Sequence, residues 1–352
     1  MMYANINDAI PESQVRSLRK GFLGKEVYRS LKSNSNMSEF KIVMEETDYG
    51  SAIFDGQRDD RFDVQLLRMN MKKKLMMEMT YLISQSSYPL NEFLTRMLHR
   101  YQIENVVYII EGLKSHRPIE ELMRNADPLG DFPELKNVQP VDGDDYASLY
   151  QSVLIDLPIG NYFRKFLDEV TMNAASDDQI TLDAKFVADV LSDKTMLQIQ
   201  HHLNKIWLQE FYRFCKTELG ESSERIMCDL LKFESDLQTI QIIENYQTMA
   251  VGDGAMTYSE RKKYISKIGY LYPERYEMLS NANDFKQIQA AVESTDYYNM
   301  LSNVKQAGAE NEVESRGKTL GKLKSDVAQM MMGSLLLLVV HYSVLLVNQT
   351  AI

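Results

Sequence analysis

Three aspartates near the start of the chain are the residues whose spacing most resembles a catalytic motif. The segment Asp59-Asp60-Arg61-Phe62-Asp63 has the D-D-x-x-D pattern. On a helix, carboxylates at i and i+4 share one face, where they can hold magnesium and a diphosphate. A magnesium-dependent, all-helical enzyme of the isoprenoid-processing type would use Asp59, Asp60 and Asp63 in this way, together with a second acidic motif. The nearest second motif, within residues 177–183, has the wrong spacing, so we favour a solvated helix start and keep the enzyme as the alternative.

The other short motifs give weaker chemical signals. Gly317-Lys318-Thr319 resembles the end of a phosphate-binding loop, but Glu312 stands where that loop needs its first glycine. His201 and His202 would point about 100° apart on a helix and lack the H-E-x-x-H spacing of a zinc site. Cys215 has no recognisable histidine partner. The sequence therefore predicts no catalytic residue, no cofactor and no metal site.

Charge and cysteine content limit the partners and the compartment. The 352 residues include 39 Lys+Arg and 50 Asp+Glu, a formal net charge of -11 that repels nucleic acid and anionic lipid. Cys215 and Cys228 are the only cysteines, which indicates a reducing compartment and buried thiols. We interpret Lys72-Lys73-Lys74 as the solvated face of a helix, with contact to an acidic partner as the alternative.

Composition and periodicity predict a mostly helical chain. Glycine (16) and proline (8) are scarce and methionine (21) is abundant. Apolar spacing predicts long helices over residues 59–84, 90–114, 185–216 and 225–249, and short helices over 15–23 and 25–31 after an irregular start. In the first long helix the predicted buried face is Leu66, Leu67, Met71, Leu75 and Met79.

One helix-and-stop pattern occurs three times. The three copies are Phe40, Val43, Met44 and Thr47 before Asp48-Tyr49-Gly50; Tyr146, Leu149, Tyr150, Val153 and Leu154 before Asp156-Leu157-Pro158; and Phe285, Ile288, Val292 and Thr295 before Asp296-Tyr297-Tyr298. Their aspartates are 108 and 140 residues apart, too far for a stacked solenoid. We predict an all-α fold with three internal repeats, at about residues 15–60, 100–165 and 237–305. Long paired helices would alternate with short-helix lobes in a three-lobed, pseudo-threefold arrangement.

The last segment has a different character. Residues 330–347 form an apolar run of 18 residues, preceded by Lys318, Lys322 and Lys324. This length is the lower limit for a membrane span. His341 within the run favours a buried C-terminal helix, and a membrane tail anchor is the alternative.

Several sequence blocks carry a resemblance to a known family, in the same order and with similar spacing over residues 1–320. The blocks are Glu46-Thr47-Asp48-Tyr49-Gly50, Pro89-Leu90 with Phe93-Leu94, Ile103-Glu104-Asn105-Val106, Asp127-Pro128-Leu129-Gly130 with Phe132, Phe211-Tyr212-Arg213-Phe214-Cys215, Met227-Cys228 with Phe233-Glu234 and Asp236, Leu271-Tyr272-Pro273-Glu274, and Arg316-Gly317-Lys318-Thr319-Leu320. In these blocks the chain resembles subunit d of the membrane sector of V-type ATPases, a family that also has members in archaeal-type ATPases.

The resemblance implies a fold and a role. The family is a three-lobed, all-helical funnel with no active site, a rotor subunit that joins the central stalk to the proteolipid c-ring so that ATP hydrolysis drives proton transport. It implies a peripheral position on the cytosolic face of vacuolar, endosomal or lysosomal membranes, with no nucleic acid, cofactor or small-molecule substrate. It does not define the partner-contact residues. Residues 321–352 depart from the family as an atypical apolar tail, and a general helical adaptor outside any ATPase is a further alternative.

Overall fold

The computed structural model describes residues 4–34, 36–55, 63–134, 157–174, 195–248, 258–283, 285–295 and 297–298. Within these ranges the chain forms helices joined by turns, and no β-strand occurs among them. The predicted all-α class is therefore confirmed. The described residues up to Met196 belong to one compact unit and those from Leu197 onward to a second.

The first unit contains eight described α-helices and a short 3-10 helix. They are α1 (Ala4–Lys20), α2 (Lys25–Ser33), α3 (Met37–Glu45), α4 (Gly50–Ile53), α5 (Val64–Gln85), α6 (Leu90–Lys114), α7 (Ile119–Asn125), the 3-10 helix (Pro128–Gly130) and α8 (Gly160–Ala174). The prediction of an irregular start was wrong, because α1 begins at Ala4 and continues through Pro11. Pro11 is buried, and it cannot donate the intrahelical hydrogen bond of its position.

Helix α6 is the central element of the first unit and has the bounds predicted for it. It packs against α5, α7 and the 3-10 helix. Because its neighbours surround it, α6 buries apolar side chains on more than one face, including Phe93, Leu94, Ile103, Val107 and Ile110. A helix that is apolar on several faces belongs inside a domain.

Helix α5 departs from its predicted stripe. Met71 is 40% exposed, and the neighbouring Asn70 is buried with Met79 and Leu82. The Asn70 Nδ2 donates to the carbonyl oxygens of Ile53 (3.1 Å) and Asp55 (2.7 Å). These bonds satisfy backbone carbonyl groups at the end of α4, which explains why Asn70 is buried. Periodicity alone predicted burial of the neighbouring Met71 instead.

The second unit contains the helices α9 (Met196–Glu218), α10 (Glu221–Thr248), α11 (Tyr258–Tyr264), α12 (Tyr276–Ser280) and α13 (Phe285–Ala291). Its core brings Ile240 and Ile243 of α10 together with Leu279 and with Ile288 and Val292 at the end of the chain's described part. Phe285, Ile288 and Val292 are all buried, as their spacing predicted. Cys215 and Cys228 are buried free thiols, also as predicted.

The first and third helix-and-stop segments end in the same turn. Thr47 donates from its hydroxyl and its backbone N–H to Met44 O, at 2.6 and 3.0 Å. Thr295 donates in the same way to Val292 O, at 2.5 and 3.1 Å. The second segment, residues 146–156, and the apolar run 330–347 lie outside the described residues. The three-repeat prediction therefore stays a prediction.

Candidate functional site

Asp63 is the only aspartate of the D-D-x-x-D motif among the described residues, and it is not part of a helix. Helix α5 begins at Val64, so Asp63 lies just before it and is exposed. Its carboxylate caps the helix by accepting from Gln65 N (2.8 Å) and Leu66 N (3.2 Å). Asp59, Asp60 and residues 177–183 lie outside the described ranges. Among the described residues no group of three or more His, Cys, Asp or Glu side chains is arranged to hold a metal.

The two adjacent histidines serve the packing of the second unit. His201 Nδ1 lies 3.1 Å from the Tyr246 hydroxyl, and the His202 ring meets the Tyr264 ring edge to face at 5.9 Å. They diverge toward different neighbours, as expected for consecutive helix positions. Gly317-Lys318-Thr319 lies beyond the described residues.

The three consecutive lysines of α5 are used in different ways. Lys72 forms an ion pair with the Asp127 carboxylate. Lys74 forms one with Glu78, and its ammonium lies 5.4 Å from the centre of the Tyr49 ring. Lys73 alone of the three is exposed. The interpretation of the whole triplet as a solvated face was therefore wrong for Lys72 and Lys74, because each has an acidic partner. Glu78 lies at i+4 from Lys74 on the same helix, whereas Asp127 comes from a separate segment that periodicity does not reveal.

A first polar network fixes the Asp127-Pro128-Leu129-Gly130 segment to α6. Asn105, which is 3% exposed, donates from Nδ2 to Asp127 O and accepts from Asp127 N, both at 2.8 Å. The Asp127 carboxylate accepts from Leu129 N at 3.0 Å. A Cβ on Gly130 would lie 2.3 Å from Tyr101 O, so the close approach of this turn to α6 requires glycine.

A second network surrounds Asp236 of α10. This carboxylate is 2% exposed and accepts from Tyr270 N (2.8 Å), Leu271 N (3.2 Å) and the Tyr297 hydroxyl (2.8 Å). Burial raises the pKa of Asp236, and the three hydrogen bonds act in the opposite direction. A Cβ on Gly269 would lie 1.9 Å from Asp236 Oδ1. One buried side chain thus holds two distant segments of the second unit.

A buried histidine joins α6 to α8. His99 Nδ1 lies 2.8 Å from the Tyr162 hydroxyl, and the two rings meet edge to face. Burial, aided by the charge of Arg96, lowers the pKa of His99 to about 4. The imidazole is therefore neutral near pH 7, and its ring packs against Tyr162.

These networks join blocks that the sequence presented separately. Asn105 connects the block at residues 103–106 to the Asp127 turn, and Asp236 connects α10 to Tyr270, Leu271 and Tyr297. The sequence blocks contain Asn105, Asp127, Asp236 and Leu271, and Tyr297 belongs to the third helix-and-stop segment, but the sequence assigns these residues no partners. The sequence signal that could have indicated these networks was a polar side chain within an otherwise apolar helix. The chain's own donors and acceptors satisfy both networks, so the networks stiffen the scaffold.

Comparison with known proteins assigns the chain to a family. The family described as ATP synthase (C/AC39) subunit matches residues 11–335. The chain is similar to V-type proton ATPase subunit d of Dictyostelium discoideum, with 30% identity over 308 residues, covering 88% of this chain and 78% of that protein. It is also similar to V-type proton ATPase subunit d of Saccharomyces cerevisiae, with 28% identity over 297 residues, covering 84% of this chain and 79% of that protein.

A third relative has a similar name, and the family match extends into the atypical segment, residues 321–352. The probable V-type proton ATPase subunit d of Oryza sativa is 28% identical over 301 residues, which cover 86% of this chain and 78% of that protein. The family match ends at residue 335, beyond Leu320, where we expected the resemblance to end. Within the described residues no helix is long and apolar enough to cross a membrane. Because the family match spans most of the sequence, the chain belongs to the ATP synthase (C/AC39) subunit family.

Proposed function

We propose that this protein is a non-catalytic rotor subunit of a proton-pumping V-type ATPase, the counterpart of subunit d in its relatives. The observation that carries the proposal is the family match over residues 11–335, joined to relatives named V-type proton ATPase subunit d. In this role the chain connects the central stalk to the proteolipid c-ring. ATP hydrolysis elsewhere in the complex then drives proton transport through a mechanical link.

The polar networks support a mechanical role. A part that transmits torque has to resist deformation, and closely packed interiors transmit strain instead of absorbing it. Asn105 and Asp236 each tie a turn to a long helix through several hydrogen bonds. Such ties prevent the turns from moving independently of α6 and α10.

The proposal includes a place in the cell and a shape. The protein lies on the cytosolic face of a vacuolar, endosomal or lysosomal type of membrane and is held there through protein contacts. The net charge of -11 supports attachment through protein, because an acidic chain is repelled by anionic lipid headgroups. The three repeats form lobes around a central concavity, and the matching turns at Thr47 and Thr295 support the first and third of them.

Co-purification and complementation test the proposal. The full chain, carrying an epitope tag, replaces subunit d in cells that lack their own copy, and membranes are extracted with mild detergent. We expect proteolipid and stalk proteins to co-purify with the tag and vesicle acidification to be restored. Recovery of the chain only as a free monomer would contradict the proposal. Recovery with a different assembly would favour the general helical adaptor.

A further inference from the structure

A groove with an apolar floor lies in the first unit, between α5, α7 and the turn that follows α7. It has a volume of about 590 Å³. Met69 of α5 and Ile119 and Met123 of α7 contribute apolar side chains to it, together with Pro128 of the 3-10 helix. Methionine side chains adapt to the shape of what they contact, which suits a surface that receives another chain.

Charged side chains of both signs also line this groove. They are Lys73, Glu120, Arg124 and Asp131, and all four are exposed. None of the four side chains forms an ion pair or hydrogen bond within the described part of the chain. Their neighbours behave differently, because Lys72 and Lys74 have acidic partners and Glu121 pairs with Arg117 at 2.6 Å. Among the charged residues that line the groove, Asp127 is paired with Lys72, whereas the four exposed charges have no internal partner in the described part of the chain.

We propose that this groove binds an amphipathic α-helix from another subunit of the ATPase. The helix places an apolar stripe on the methionine floor, an acidic side chain near Lys73 and Arg124, and a basic side chain near Glu120 and Asp131. A helix fits because its neighbours on one face recur at i, i+3 and i+4, so a single stripe can carry apolar residues with flanking charges. A small anion fits less well, since the two carboxylates would repel it. This inference rests on the proposed function for the identity of the assembly.

Site-specific cross-linking tests which occupant the groove has. The photoreactive residue p-benzoylphenylalanine replaces Met123 on the groove floor in the full chain, and the assembled ATPase is isolated through a tag on a different subunit before irradiation. We expect mass spectrometry to identify one peptide of another ATPase subunit, with apolar residues at helical spacing and flanking charges of both signs. The matched control places the same residue at Met77, a 73% exposed methionine of α5 outside the groove, and should not capture that peptide. Capture of only a lipid, a small molecule or this chain's own residues at position 123 overturns the proposal.

Charge reversal gives an independent test that also separates the two proposals. The variant Lys73→Glu with Arg124→Glu should reduce the amount of chain retained on the ATPase about tenfold, more so at low salt. The control variant Arg68→Glu with Lys25→Glu changes two exposed cations outside the groove and should assemble like the unaltered chain. Both variants should keep the far-ultraviolet circular dichroism of the unaltered chain, because none of these cations has an internal partner among the described residues. Equal assembly of both variants overturns the groove proposal alone, whereas failure of the unaltered chain to co-purify overturns the proposed function as well.

Discussion

Asp236 and Gly269 should be strongly coupled in the stability of the second unit. In Asp236→Ala, Leu271 N and the Tyr297 hydroxyl lose their buried acceptor, and Tyr270 N loses a partly buried one. A buried donor without an acceptor costs about 1 to 3 kcal/mol. The substitution also removes a carboxylate whose burial is unfavourable, as its raised pKa indicates, and this gain reduces the loss of stability. We expect a net loss of about 3 kcal/mol in the free energy of unfolding.

Gly269→Ala should destabilise the same unit through a steric clash. All three atoms nearest to the added Cβ belong to Asp236, with Oδ1 at 1.9 Å and Cγ at 2.7 Å. The hydrogen bonds fix the carboxylate, so the loop has to shift, at a cost of about 1 to 3 kcal/mol. In the Asp236→Ala background those atoms are absent and the same change should cost less than about 0.5 kcal/mol. The two substitutions should therefore be far from additive.

The single tryptophan provides the assay. Trp207 is buried in α9 of the second unit, so its fluorescence during urea unfolding reports on that unit. The matched control is Asp229→Ala, which removes an exposed carboxylate bonded to the Tyr270 hydroxyl and should cost less than about 1 kcal/mol. The reasoning is refuted if Asp236→Ala is no more destabilising than this control, or if Gly269→Ala costs the same in both backgrounds.

Four further predictions concern the first unit. The pKa of His99 is about 4 in the folded chain against about 6.5 when unfolded, so the unfolded state binds the extra proton. The free energy of unfolding should fall by about 3 kcal/mol as the pH drops from 6.5 to 4. In His99→Gln this decline should be shallower when urea unfolding is followed by circular dichroism. Parallel pH profiles of the two chains would contradict this prediction. Asn105→Ala should cost about 2 kcal/mol by leaving Asp127 N and O unpaired, whereas the exposed Asn125→Ala should be near neutral in thermal unfolding. Asp63→Ala should cost about 1 kcal/mol through the lost helix cap, and Asp63→Ser should restore most of it. Magnesium should not change the melting temperature of the unaltered chain, and a shift abolished by Asp63→Ala would revive the metal-site interpretation.

The sequence by itself determined the helical class and much of the local structure. The bounds of α6 and the burial of Phe285, Ile288 and Val292 follow from spacings of three and four residues, which the helix geometry converts directly into a face. The sequence blocks also identified the family, because their order along the chain needs no knowledge of contacts.

Only the tertiary structure decided which polar residues act together. Asp236 meets donors 34, 35 and 61 residues away, and Asn105 meets Asp127 across 22 residues. Periodicity reports only on neighbours within one helix, so it identified no partner for any of these side chains. For the same reason it predicted that Met71 is buried, whereas the buried residue is Asn70. The groove between α5 and α7 was beyond prediction for the same reason. Its floor and its unpaired charges come from separate segments, which are brought together only when the helices pack.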